Sequence, residues 1–143
     1  MIELNFIQFH EQQYLEKGYE LYILKNGLGD ILYIGISTKN IWERWFGWGG
    51  HLTWDGNVIY GESSIGLKIE NHLPDSLNWK IQLWTLKDCI RFCSKELPSD
   101  TSMVTIHDVE PIIIQKLSPA LNATYNLNPE ADELYKEIFN NKK

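Results

Sequence analysis

Two short apolar runs, joined by a turn and followed at once by a helical pattern, constrain this chain more than any other stretch. Tyr19-Glu20-Leu21-Tyr22-Ile23-Leu24 and Ile31-Leu32-Tyr33-Ile34-Gly35-Ile36 are rich in β-branched and aromatic residues, which suit a pleated surface. Between them, Lys25-Asn26-Gly27-Leu28-Gly29-Asp30 contains an Asn-Gly step that predicts a hairpin. Ser37-Thr38-Lys39-Asn40 then supplies capping residues, and Ile41, Trp45 and Trp48 recur at helical spacing. The unit reads as hairpin then helix, with Tyr22, Tyr33 and Arg44 at its polar points.

The flanking chain supports that unit. Phe6 to Leu15 predicts a short helix stopped by Gly18, with Phe6, Ile7, Phe9 and Tyr14 as buried anchors and His10 on the surface. Gly47 to Asn57 is Gly-rich and aromatic and predicts a loop. Trp45 belongs to the helix's packing stripe, whereas Trp48 and Trp54 suit either packing or an exposed platform for a base or sugar. Ile65, Ile69 and Leu73 follow a serine cap and predict a helix ended by Pro74. Trp79 to Leu86 alternates in character and predicts a third strand. Val109, Ile112, Ile113 and Leu117 mark a buried helical face, with Asp100 or Thr101 as its cap. Pro111 fits that helix if it begins near Asp108, or if it kinks. Ala131, Leu134, Tyr135, Ile138 and Phe139 predict a last helix with an acidic first turn.

Length suits one domain of 143 residues, with residues 49–78 as an insertion carrying its own helix. No repeat, linker or low-complexity tract interrupts it. Cys89 and Cys93 lack a second pair to complete a zinc site, so buried free thiols are expected. No N-terminal apolar run is long enough for a signal peptide or membrane span, which predicts a cytoplasmic protein without a membrane partner. A net charge of −6 argues against tight nonspecific DNA binding, because phosphate contacts need positive charge. Lys25, Lys39, Arg44, Lys68, Lys80 and Lys87 nevertheless fall in mid-chain and leave room for a local patch.

Tyr33-Ile34-Gly35, with Tyr22 eleven positions before it and Arg44 eleven beyond, resembles the GIY-YIG nuclease superfamily. Its closing motif has a counterpart in Glu110, the apolar run Ile112-Ile113-Ile114, Pro119 and Asn122. The resemblance implies an α/β domain with a small central three-stranded antiparallel sheet flanked by helices. It also implies a metal-dependent endonuclease that hydrolyses DNA without a covalent intermediate. Tyr22 would activate water, Tyr33 would assist, and Asn122 would hold the site together. Arg44 offers a fork that matches phosphate, and Glu110 could hold one hard cation, Mg²⁺ or Mn²⁺. A phenol acting as a base needs a neighbouring cation, since its pKa is about 10.

Taken singly, each of these residues has an ordinary structural reading: core tyrosines, a solvated arginine, a dipole-favoured glutamate, a turn asparagine. Their joint occurrence favours a site. The first motif departs from the pattern, with Glu20 and Leu21 replacing glycine and isoleucine. Trp48 stands where many members carry histidine, and His51, three residues later, could reach the site from the loop. Two alternatives stand beside the nuclease: a non-catalytic nucleic-acid- or protein-binding module, and the nuclease subunit of a restriction, repair or mobile-element system. A homodimer or a partner subunit is compatible with all three.

Overall fold

A computed structural model describes residues 1–13, 18–56 and 58–122 of the chain. It begins with strand β1 (Ile2–Asn5) and helix α1 (Phe6–His10). Asn5 ends one and caps the other: its side chain accepts from the Gln8 N–H at 2.8 Å, and Gln8 Oε1 accepts from the Asn5 N–H at 3.0 Å. The predicted helix therefore stops at His10 rather than running to Gly18. The strand before it went unpredicted because Ile-Glu-Leu-Asn offers only two alternations. Phe6 and Phe9 are buried on one helical face, while Ile7, about 100° away, is exposed. Tyr14 lies outside the described residues. His10 is half-buried instead of lying free on the surface, because its ring stacks on Trp54 at 4.2 Å.

The hairpin consists of β2 (Tyr19–Lys25) and β3 (Ile31–Ile36). Its turn is longer than a two-residue Asn-Gly connection. Asn26 Oδ1 accepts from the N–H groups of Leu28 and Asp30, both at 2.9 Å, and Gly29 carries the positive φ of +87°. Glu20 stands where the pairing register of β2 shifts between Tyr19 and Leu21, and its carbonyl accepts from Ser37 at 2.9 Å. That irregularity accommodates a side chain at the strand start.

Helix α2 (Ile41–Phe46) is capped by Asn40, which accepts from Trp42 and Glu43. Residues 49–78 hold strands β4 (Leu52–Asp55) and β5 (Val58–Gly61), helix α3 (Ser64–Asn71) and a 3-10 turn (Asp75–Asn78). The expected loop over 47–57 is thus partly strand, since Leu52-Thr53-Trp54-Asp55 pairs with Val58–Gly61 in a separate two-stranded sheet. Asn57 lies outside the described residues.

Strand β6 (Lys80–Thr85) and helix α4 (Leu86–Phe92) follow, then helix α5 (Ile106–Leu117). The main sheet has four strands, not the three expected, in the antiparallel order β1-β6-β2-β3. The unforeseen β1 is the fourth. Neither Asp100 nor Thr101 caps α5; Thr105 does, with its N–H donating to Asp108 Oδ2 at 2.8 Å. The helix therefore starts before Asp108 and Pro111 lies inside it. An interior proline costs about 3 kcal/mol. Burial of Val109, Ile113 and Ile114 on the same helix, at about 1.5–3 kcal/mol each, outweighs that cost.

Central strand β2 is buried on both sides. Tyr22 and Leu24 face a core with Phe6, Phe9, Trp45 and Ile69, whereas Leu21 and Ile23 face α4 and α5 through Cys89, Val109 and Ile113. Cys89 and Cys93 are buried free thiols on the α4 side. Among the described residues no helix is long and apolar enough to cross a membrane. The expected last helix, Ala131 to Phe139, lies outside the described residues.

Candidate functional site

The site is organised around Tyr22. Register places it opposite Gly35 and places Leu24 opposite Tyr33. The two tyrosines are therefore diagonal neighbours on one sheet face rather than directly paired, with ring centroids 6.2 Å apart. The Tyr22 phenol lies across Gly35, where a Cβ would collide with it. The glycine of Tyr33-Ile34-Gly35 is thus a steric requirement of the neighbouring tyrosine.

His51 reaches the same spot because the chain folds back sharply after α2. Gly50 N–H donates to the Gly47 carbonyl at 2.9 Å, and His51 N–H donates to the Arg44 carbonyl at 3.2 Å. Its ring then lies between two hydroxyls. Nε2 is 3.0 Å from the Tyr22 oxygen and Nδ1 is 2.6 Å from Ser63 Oγ. Ser63 also caps α3 by accepting from the Gly66 N–H at 3.1 Å. Two proton arrangements satisfy the row. Either Tyr22 donates to Nε2 while Nδ1–H donates to Ser63, or Ser63 donates to Nδ1 while Nε2–H donates to Tyr22.

Burial, then the positive charge of Arg44, lowers the His51 pKa to about 4. Burial pushes the Tyr22 phenol well above its ordinary value; Tyr33 and Glu110 push the same way, and Arg44 opposes them. Tyr22 and His51 therefore form a neutral pair at neutral pH, within the electrostatic reach of Tyr33, Arg44 and Glu110. Arg44 is half-buried, and among the described residues no carboxylate lies within ion-pair distance of it. Glu110 is half-buried on α5; burial raises its pKa, and His107 opposes the rise.

Asn122 is 8% exposed and meets the backbone of β3. Its Oδ1 accepts from the Ile34 N–H and its Nδ2 donates to the Ile34 carbonyl, both at 2.8 Å. Ala120 and Leu121 donate to the carbonyls of Ile31 and Leu32. The segment after α5 thus covers the outer edge of β3 and fixes the strand that carries Tyr33.

A cation at this site must rely on few protein ligands. Among the described residues no group of three or more His, Cys, Asp or Glu side chains could hold a metal. Glu110 alone fits a hard divalent ion, as a carboxylate with no hydrogen bond or ion pair among the described residues, its anionic form disfavoured by burial. Mg²⁺ suits such a site because it keeps most of its waters and needs only one or two carboxylates.

Sequence reasoning missed two members. Ser63 reads only as a helix cap, yet it also contacts His51 from twelve residues away, across a hairpin no local pattern announces. Trp45 reads as core, yet its ring packs 5.2 Å from Tyr22 and 4.6 Å from His51, forming the dry wall behind the pair. Its Nε1–H is buried with no acceptor among the described residues. No family model, curated protein or solved structure matches the chain.

Proposed function

We propose that this protein is a metal-dependent endonuclease of the GIY-YIG type that hydrolyses DNA phosphodiester bonds. The observation that carries the reading is the 3.0 Å Tyr22–His51 hydrogen bond within electrostatic reach of Arg44 and Glu110. A hairpin followed by an arginine-bearing helix, with a glutamate-bearing helix near the β3 edge, supports the matching scaffold.

Hydrolysis forms a bond from the water oxygen to phosphorus as the bond to the leaving sugar oxygen breaks. A proton must leave the water, negative charge must be balanced on the phosphorus oxygens, and the leaving oxygen must take up a proton, here from solvent. The raised pKa of Tyr22 makes a free phenolate costly. The water's proton passes instead to the Tyr22 oxygen as that phenol's own proton passes to His51 Nε2, so tyrosine stays neutral throughout. Neutral His51 can accept, and Ser63 holds its ring in line. The substrate's negative charge opposes the burial and Arg44 effects that keep imidazolium unfavourable. Arg44, with no carboxylate partner among the described residues, presents its fork to the phosphate. Tyr33 assists from its diagonal position, and Asn122 keeps its strand in place. A single Mg²⁺ or Mn²⁺ held by Glu110 would supply further positive charge at the phosphate oxygens.

The test is plasmid nicking in Mg²⁺ by wild type, Arg44→Ala and Glu110→Ala. Each variant should lose about a hundredfold or more in rate. Equal nicking by all three proteins would point to contamination or a wrong site.

A second reading has its own observation. Tyr22 is only 1% exposed and His51 4%, so the pair is closed off from solvent. That closure favours a non-catalytic module on the same scaffold. Salt-dependent DNA binding without cleavage would support it. If cleavage required an added partner chain, the protein would be a nuclease subunit.

A further inference from the structure

The chain that brings His51 to Tyr22 also opens a cleft of about 660 Å³ beside the site. Trp48, Trp54 and Phe46 supply its apolar walls, and Thr53 and Glu62 stand on its polar side. Trp48 is 102% exposed, so it buries nothing within the fold. The backbone two residues beyond it is closely packed. Gly50 packs so tightly on α2 that a Cβ there would lie 2.8 Å from the Trp45 carbonyl and 2.9 Å from that of Arg44. Trp54, by contrast, is packed: it stacks on His10 with planes 14° apart and meets the edge of Phe46 at 5.9 Å.

We propose that this cleft takes one unpaired nucleobase of a DNA strand, stacked against the Trp48 and Trp54 walls, while the adjoining phosphate lies at Arg44. The preferred substrate class is thus DNA with an unpaired nucleotide next to the cleaved bond, as in a single strand, a flap or a bulge. The inference rests on the nuclease reading for the place of the phosphate. Three features select a base. The volume falls within the range of small-ligand pockets, which suits one nucleoside. Aromatic faces stack on any base, and a duplex keeps its bases stacked on one another. The Glu62 carboxylate repels a phosphate but accepts from an exocyclic amine, and Thr53 Oγ1 donates to it at 3.0 Å, helping to orient it.

The test is fluorescence anisotropy in EDTA, with labelled oligo-dC as a free strand and in a blunt duplex, using wild type and Trp48→Ala. Circular dichroism checks the fold, which a fully exposed side chain should not affect. Wild type is expected to bind the free strand about tenfold or more tighter than the duplex. Trp48→Ala should lose about tenfold on the strand and less than about twofold on the duplex. Equal strand affinity for the two proteins overturns the inference and leaves the cleft to another occupant, such as a sugar or a peptide. The two proposals fail separately. Trp48-dependent strand binding without cleavage in Mg²⁺ supports the stacking cleft and strikes only the nuclease reading. Duplex nicking with no contribution from Trp48 strikes only the stacking cleft.

Discussion

Acid should unfold this protein in large part through one residue. His51 lies at a pKa of about 4 in the fold, against 6.5 in a free chain, because burial and Arg44 disfavour its cation. Between those values the unfolded chain binds more protons than the native one, so stability rises with pH across the interval. The contribution is fully present above about pH 6.5 and is lost as pH falls towards 4. A separation of about 2.5 units at 1.36 kcal/mol each gives about 3 kcal/mol. Small domains have only about 5–15 kcal/mol in total. Urea unfolding from pH 4 to 8 measures the effect directly, provided the denaturant slope stays constant. The perturbation is His51→Gln, which stays uncharged. Subtracting its curve from wild type removes the shared contributions of Asp88 and Glu110. The difference should change by about 3 kcal/mol between pH 7 and pH 4. Arg44→Ala should move its midpoint upward only part of the way, because burial is the larger cause. A flat difference curve would mean that His51 titrates as a solvated residue and that the buried pair with Tyr22 is wrong.

Three other perturbations probe neighbouring parts of the account. Gly35→Ala drives a methyl into the Tyr22 phenol and should cost about 1–3 kcal/mol by denaturant titration, with loss of nicking. Asn122→Ala removes two hydrogen bonds to Ile34 and should cost about 2–3 kcal/mol, with faster hydrogen exchange at the Ile34 amide. Glu110→Gln should stabilise the protein above neutral pH while abolishing nicking. A carboxyl whose pKa is raised by folding stabilises at low pH and loses that contribution as pH rises through its folded value. Melting temperatures at pH 5 and pH 8 check it.

Local patterns spoke clearly where one element decides its own shape. The β2–β3 hairpin, a capping cluster before α2, the serine cap of α3, the third strand and the buried cysteines are all legible from neighbours in sequence. What was hidden depends on distant partners. Strand β1 is four residues long and exists because Ile2 to Asn5 finds β6, some eighty positions away. Leu52–Asp55 is a strand through pairing with β5 and not through its own composition. Thr105 outcompetes Asp100 and Thr101 because the Asp108 carboxylate reaches back to it, and buried isoleucines hold Pro111 inside the helix. The site shows the same division. Tyr22, Tyr33 and Arg44 are candidates through the family resemblance, whereas the place of His51 depends on a glycine-rich fold-back at the end of α2. Ser63 depends in turn on the backbone contact of α3 with that segment, where a Cβ at Gly66 would strike the His51 carbonyl.

The most direct measurement removes a single oxygen. Tyr22→Phe keeps the ring that packs on Trp45 and takes away only the hydroxyl that meets His51. Plasmid nicking in Mg²⁺ is expected to fall by about a hundredfold or more, with a stability change of only about 1 kcal/mol. Nicking by Tyr22→Phe at the wild-type rate would contradict the proton path at the centre of this account.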